Sequence, residues 1–202
     1  ILGLALNDCT WRQASLPVSQ GGLGLRRAAM HSAGAYAVSL AHSSALVASM
    51  LTPRRCRPPA VDSALTLLNS LSDSNFTFDE LTSTTQKTVS HSIDIKSLRL
   101  LCESATNPRE RAHLGSVTHA RSGDWLNALP SKALNLHMRS TEFRIAAKYC
   151  LGMAGFPEDA ICPVQTCQQP NDKFSAHAVT CAYNEARIGR HNRLRDTIFK
   201  AA

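Results

Sequence analysis

The stretch Cys162-Pro-Val-Gln-Thr-Cys167 is followed, after nine residues, by His177-Ala-Val-Thr-Cys181. Four soft or borderline ligands arranged as a tetrahedron are what a structural zinc ion requires. Two cysteines in a short loop supply one edge of that tetrahedron. His177 and Cys181 are four residues apart, so on a helix they share one face and supply the opposite edge. The spacing therefore predicts a small zinc-binding module built on these four residues.

Two other interpretations of the same residues remain open at this stage. Cysteine is among the most often buried residue types, so Cys181 can be an ordinary core residue of an amphipathic helix. A disulfide between Cys162 and Cys167 is the other alternative. The chain has seven cysteines, an odd number, and those outside the cluster are scattered singly along the sequence. This pattern argues against a disulfide framework and favours a reducing, intracellular compartment, either nucleus or cytoplasm.

A basic segment follows the cluster directly. The run from Asn184 to Ala202 has the periodicity of an amphipathic helix, and only Glu185 and Asp196 offset its positive charges. Guanidinium groups at this density match the oxygens of phosphates, although a solvated helix face is the alternative interpretation. The candidate nucleic-acid-binding residues are Arg187, Arg190, His191, Arg193 and Arg195.

The composition of the chain is typical of a folded, basic protein. The chain has 202 residues, 44% of them hydrophobic, which is enough for a folded core and excludes wholesale disorder. Its net charge of +7 favours a polyanionic partner. The most membrane-like stretch, Ala33–Leu51, is rich in Ala and Ser and contains a histidine, so we expect a helix that does not enter a membrane. Because residue 1 is Ile, we expect a fragment of a longer chain, and we expect no secretory signal because no charged segment precedes an apolar one at the start.

The hydrophobic periodicity predicts a mostly α fold without strong strands or repeats. Asp8–Arg27 is predicted to be irregular, and the segment from Pro157 to Asn171 to be a loop. The remaining elements share helical spacing or helix-end signals, and they are Leu25–Leu51, Val61–Leu71, Phe78–Ser104, a helix starting at Pro108, a capped short helix at Ser122–Leu126 closed by Pro130, and a helix after Ser140 that ends at Gly152.

Several motifs together resemble the region after the polymerase in polyproteins of non-long-terminal-repeat retrotransposons that carry a restriction-like endonuclease. The resemblance covers nearly the whole chain and depends on the order of the motifs. They are Trp11–Pro17 with Gly21–Leu25, Ser122–Pro130, Glu142-Phe143-Arg144, Leu151-Gly152, the Cys162–Cys181 cluster with Asp172, and Arg190–Asp196. Two departures are present: the first two cysteines are separated by four residues where the family usually has two, and Ser175-Ala176 replaces the frequent Gly-Asp before the histidine.

The resemblance implies a division of the chain into four parts. Residues 1–52 correspond to the end of the polymerase thumb with a long helix, and residues 53–155 to an irregular helical connector. Residues 156–183 correspond to a zinc knuckle, and residues 184–202 to a basic helix that leads into an endonuclease domain. The implied cofactor is zinc, and the implied partners are RNA or DNA and the remainder of the polyprotein.

Catalysis by this chain alone is not expected. A polymerase needs paired carboxylates to hold two magnesium ions, and the sequence contains no Asp-Asp dipeptide. Asp94-Ile-Lys96 matches half of a nuclease signature but lies within a helical pattern and has no Pro-Asp partner. We therefore predict no catalytic residues and a nucleic-acid-binding fragment of a reverse transcriptase and endonuclease polyprotein. The alternative function is that of a metal-free helical interaction module or an inactive transposon remnant.

Overall fold

The computed structural model describes residues 6–50, 59–133 and 137–183, together with the single positions 189, 192 and 196. The described chain is mostly helical, which confirms the predicted fold class at that level. It divides into two compact units. One is Leu6–Gly123, called here the helical unit, and the other comprises the described residues from Asp124 onward, called here the carboxyl-terminal unit. The division falls inside the range 53–155 that the family resemblance groups as a connector.

The helical unit contains six α-helices and one 3₁₀ helix among its described residues. In chain order these are α1 (Asp8–Ser15), the 3₁₀ helix (Val18–Gln20), α2 (Ala28–Met50), α3 (Pro59–Leu71), α4 (Phe78–Leu81), α5 (Gln86–Ser104) and α6 (Pro108–Val117). The predicted helices at α2, α3 and α6 are confirmed. The start of α6 also follows the prediction, because Pro108 occupies the first turn and the Asn107 side chain accepts a hydrogen bond from the Glu110 N–H.

Helix α2 packs against α3, α4 and α5, and the main core lies between them. Its buried face is formed by small side chains that recur every three or four residues, including Ala33, Ala37 and Ala41. Small residues let the neighbouring helices approach closely, so the larger side chains of those helices fill the space. The buried residues of this core are Ala37, Val38, Ala41, Val61, Leu65, Leu68, Leu81, Val89 and Ile93.

Gly34 lies inside α2, where glycine ordinarily destabilises a helix. A Cβ atom at this position would stand 2.8 Å from Cγ1 of Val89 and 3.4 Å from Cδ1 of Leu68. The first distance is shorter than a van der Waals contact between carbon atoms. The glycine therefore permits the close approach of α5 to α2, which explains a residue that sequence periodicity treats only as an interruption.

The predicted irregular structure over Asp8–Arg27 is wrong in its first half, where the chain forms α1. The Asn7 side chain caps this helix by accepting a hydrogen bond from the Thr10 N–H at 2.8 Å. Ala14 is fully buried and Leu16, just after the helix, is 1% exposed. The helix is thus stabilised by tertiary burial and by a cap, and the Pro and Gly residues that suggested a loop begin only at Pro17.

The predicted single helix over Phe78–Ser104 is also wrong, because the chain breaks between α4 and α5. Thr77 and Glu80 form a reciprocal capping box that starts α4. The hydroxyls of Thr82 and Thr84 bond to carbonyls of the preceding turn, and Thr85 caps a new helix by accepting from the Thr88 N–H. Threonine side chains compete in this way with helix continuation, and the Thr-rich segment ends one helix and begins the next.

The described part of the carboxyl-terminal unit contains three helices and a two-stranded antiparallel sheet. These elements are α7 (Asp124–Asn127), α8 (Ser140–Cys150), β1 (Ala160–Ile161), β2 (Pro170–Asn171) and α9 (Ala176–Thr180). The short helix at Trp125 and the helix after Ser140 are confirmed, and Gly152 adopts a left-handed φ of 63° as a helix-ending glycine does. The predicted loop from Pro157 to Asn171 contains the two short strands. Each strand has two residues, which is too few to produce a periodic pattern in the sequence.

The ring centroids of Trp125 and Phe143 lie 5.8 Å apart, so they join α7 to α8 through an aromatic contact. Across the described ranges of both units, no helix is long and apolar enough to cross a lipid bilayer.

Candidate metal centre

The first candidate ligand, Cys162, is positioned by the small sheet. Ala160 pairs with Asn171 and Ile161 with Pro170, and the Cys162 N–H continues the pairing by donating to the carbonyl of Gln169 at 2.9 Å. Cys162 therefore follows directly on β1 at a fixed place beside the incoming strand. Its side chain is buried, with 7% of the residue exposed.

The second candidate ligand, Cys167, lies in the turn that joins the strands. Its N–H donates to the carbonyl of Val164 at 2.9 Å, which closes a tight turn between the two cysteines. Gln168 then adopts a left-handed φ of 49°, which redirects the chain into β2. The Cys167 side chain is buried in this turn. The turn also contains the four residues that separate Cys162 from Cys167, where the family that the sequence resembles usually has two.

The third and fourth candidates, His177 and Cys181, lie at the two ends of α9. His177 is the second residue of this helix, and Cys181 follows its last residue, with its N–H bonded to the His177 carbonyl at 2.7 Å. The two residues face the same direction, as the four-residue spacing predicts. Helix α9 contacts β2, so its ligand-bearing face meets the turn that carries the other two cysteines.

The four side chains converge on one point. Their sulfur and ring-nitrogen atoms all lie within 4.8 Å of one another, which allows them to hold a metal ion. The sulfurs of Cys162 and Cys181 are 3.9 Å apart, and the sulfur of Cys167 is 3.4 Å from Nε2 of His177. None of the three cysteines forms a disulfide in the described part of the chain, so the alternative of a Cys162–Cys167 disulfide is not supported. Cys181 is itself buried, so its interpretation as a core residue stays open beside that of a metal ligand.

The thiol of Cys167 is influenced by its partners in the cluster. A hydrogen bond from the Gln169 backbone lowers the pKa of Cys167, but burial and the neighbouring Cys181 and Cys162 thiols outweigh it. The net result is a pKa above the ordinary cysteine value. Sulfurs packed this closely resist simultaneous ionisation, because each thiolate repels the next. A cation among them would relieve that repulsion.

Asp172 orients the histidine-bearing helix and is the functional residue that ligand spacing alone misses. Its Oδ2 accepts the His177 N–H at 3.1 Å, and its Oδ1 accepts the Phe174 N–H at 2.9 Å. Burial raises the pKa of Asp172, but the backbone N–H groups of His177, Ala176 and Phe174 outweigh it and hold the pKa below its usual value. An aspartate shortly before a predicted helix is a recognisable capping signal.

Replacing Asp172 by alanine is expected to weaken metal binding by roughly fivefold, because loss of a helix-capping side chain costs about 1 kcal/mol. The measurement is competition for the metal against a chromophoric chelator. Glu158→Ala is the matched control, since Glu158 is an exposed carboxylate on the same segment and forms no interaction with the described residues. Equal metal affinities for the Asp172 variant and the unmodified chain would contradict the capping role.

Other residues singled out in the sequence are placed elsewhere or not described. Arg187, Arg190, His191, Arg193 and Arg195 lie outside the described residues, as does most of the predicted basic helix.

Asp94 and Lys96, the half of a nuclease signature, both have structural partners. Asp94 is buried and binds the Arg26 guanidinium through both carboxylate oxygens, at 2.5 and 2.7 Å. The Lys96 ammonium donates to the carbonyls of Ser70 and Ser72.

Comparisons of the chain with protein-family models, with curated proteins and with solved structures found no match.

Proposed function

We propose that this chain is a non-catalytic nucleic-acid-binding segment whose carboxyl-terminal part is folded around one zinc ion. The observation that carries the proposal is the convergence of Cys162, Cys167, His177 and Cys181. All four positions of a tetrahedron are supplied by the protein, which is typical of structural zinc, whereas catalytic zinc keeps one position open for water or substrate.

The spacing of the ligand atoms supports zinc. Bond lengths of about 2.3 Å to sulfur and about 2.0–2.1 Å to nitrogen imply tetrahedral edges of about 3.8 Å between two sulfurs and about 3.6 Å between sulfur and nitrogen. The corresponding distances are 3.9 Å between the sulfurs of Cys162 and Cys181, and 3.4 Å from the Cys167 sulfur to His177 Nε2. Three thiolates and one imidazole also match the preference of zinc for soft and borderline ligands.

The segment 156–183 and the basic run that follows it differ in charge, so we assign them different contacts with nucleic acid. Residues 156–183 contain one lysine but three carboxylates, those of Glu158, Asp159 and Asp172. Phosphate contacts are therefore assigned to the basic run that follows. The metal-bearing segment instead exposes apolar side chains, with Phe156 37%, Val179 42% and Ile161 63% exposed. Of these three side chains, the aromatic ring of Phe156 can stack on an unpaired base.

The parent of this segment is proposed to be an intracellular retrotransposon polyprotein with reverse transcriptase and endonuclease domains, as the motif order in the sequence suggests. On this proposal the chain contributes binding, and the polymerase and nuclease carboxylates belong to the rest of the polyprotein. Incorporation of nucleotides by this chain alone, on a primed RNA template with magnesium, would contradict the proposal.

The Arg190→Ala and Arg193→Ala variants are expected to bind RNA and DNA more weakly, to a similar degree for every sequence tested. Arginine contacts to phosphate carry no sequence information and release counterions when they form. The logarithm of the affinity should fall with the logarithm of salt concentration by roughly 0.7–0.9 per neutralised phosphate, and each substitution should reduce this slope by about one. Filter binding at several salt concentrations gives both quantities.

Lys87→Ala is the matched control for these variants, because it removes one exposed positive charge from the helical unit and leaves the basic run intact. Its affinity and salt slope should equal those of the unmodified chain. Salt-independent binding by the unmodified chain, or equal losses in the control, would overturn the assignment of phosphate contacts to the basic run.

A further inference from the structure

The helical unit contains a cavity of about 220 Å³ that is separate from the cysteine cluster. It lies between α1, the beginning of α2, the end of α3 and the middle of α5. Its volume is below the roughly 300–1,000 Å³ of pockets that hold drug-sized ligands, so it suits a smaller group. Its apolar walls are formed by Leu16, Met30, Leu71 and Leu100.

Two arginines line this cavity without being used by the fold. Arg12 is exposed in the last turn of α1, and Arg27 is half-buried just before α2. Neither guanidinium forms an ion pair or a hydrogen bond with any described residue. A third cation, Lys96, donates two of its three N–H groups to the Ser70 and Ser72 carbonyls, at 2.9 and 3.1 Å, which leaves one available.

The carboxylate in the lining does not neutralise these cations. Asp94 has a side chain that is only 5% exposed, and both of its oxygens bind the guanidinium of Arg26. His31, which also lines the cavity, adds no positive charge near neutral pH. Burial lowers the pKa of His31, and Arg26 lowers it further, whereas Asp94 acts in the opposite direction with a smaller effect than burial. The cavity therefore has an uncompensated positive charge beside apolar walls.

We propose that this cavity binds a phosphate ester, with the phosphate between Arg12, Arg27 and Lys96 and the small ester group against the apolar walls. Arginine pairs bind phosphate through several charge-assisted hydrogen bonds at once. The limited volume admits the phosphate and one sugar, so the base of a nucleotide would lie outside the walls, past the exposed side chain of Arg12. The phosphate comes from a free mononucleotide or from the phosphorylated end of a nucleic-acid strand, and both sources have the same chemistry.

The test is a titration of the full chain with adenosine 5′-monophosphate, followed through backbone amide shifts by NMR. Shifts are expected at the lining positions Ser15, Ser97 and Leu100. Adenosine, which lacks the phosphate, should bind at least about tenfold more weakly. Single-stranded oligonucleotides with and without a 5′-phosphate then distinguish the two sources, because only recognition of strand ends makes the phosphorylated oligonucleotide shift the same amides.

Arg12→Gln and Arg27→Gln are each expected to weaken the binding of adenosine 5′-monophosphate by about tenfold or more. Lys87→Gln removes the same charge from the exposed first turn of α5, outside the cavity lining, and should leave the affinity unchanged. Equal weakening in this control, or shifts confined to residues 156–202 of the unmodified chain, would overturn the proposal. The metal site enters none of these measurements, so their failure would not count against the proposed zinc module.

Discussion

Replacing Cys162 or Cys181 by serine is expected to abolish stoichiometric zinc binding and to unfold the segment 156–183. The purified unmodified chain should contain one zinc per molecule, and either variant should contain none. The physical reason is that both cysteines are buried and their sulfurs are only 3.9 Å apart. Without a cation, the centre of this segment is a cluster of thiols and not a packed apolar core. Metal analysis of protein purified without chelators gives the stoichiometry.

The expected effect is large because metal binding and folding are one event in small modules. Structural zinc contributes about 10–16 kcal/mol of apparent binding free energy in comparable peptides. The buried residues that pack together here are the three cysteines, with half-buried Val164 against them. Two strands of two residues and one helix of five residues are too short to persist alone. Removal of zinc by a strong chelator should therefore collapse the amide dispersion of this segment.

Cys102→Ser is the matched control for the ligand variants. Cys102 is an exposed free cysteine on α5, outside the cluster. This variant should retain one zinc and an unchanged spectrum over residues 156–183. Full folding of that segment in a Cys162→Ser variant that holds no metal would refute the zinc module and would favour the metal-free interaction module.

The clustering of the four candidate ligands could be predicted from the sequence because their spacing implies a simple geometry. A four-residue separation places His177 and Cys181 on one helix face, and a short loop brings Cys162 near Cys167. The role of Asp172 could not be derived from spacing, since a carboxylate five residues before a histidine has many possible partners. Its function depends on Ser175, whose left-handed φ of 71° turns the chain so that the carboxylate meets the helix N-terminus.

The long helices could also be predicted, since α2 is rich in alanine and free of proline over 23 residues and α3 carries leucines at helical spacing. The sequence-based predictions of α1 and of the α4–α5 segment are wrong because long-range packing or side-chain capping decides the structure there. Helix α1 has only eight residues, most of them polar, and depends on the burial of Ala14 and Leu16 against other elements. The break before α5 depends on threonine hydroxyls that bond to backbone carbonyls, an effect that hydrophobic patterns do not register.

Leu68→Ala is expected to destabilise the helical unit by about 2–5 kcal/mol, the usual cost of truncating a fully buried leucine. Leu68 has no exposed surface and belongs to the core between α2, α3 and α5. One of its methyl groups lies beside Gly34, where α2 offers no side chain that could move into the space left by the truncation. The loss is a large fraction of the roughly 5–15 kcal/mol that stabilises an ordinary domain.

Thermal unfolding followed by circular dichroism should show the midpoint of this unit falling by roughly 10–20 °C in Leu68→Ala. The neighbouring Leu67→Ala variant removes the same atoms from a residue that is 46% exposed on the same helix, so it should lower the midpoint by only a small fraction of that amount. Equal effects of the two substitutions would show that α3 does not present Leu68 to α2 and α5. Ser70 and Leu71, at the end of α3, line the cavity that we propose binds a phosphate ester. Such a result would therefore also contradict the placement of that wall of the cavity.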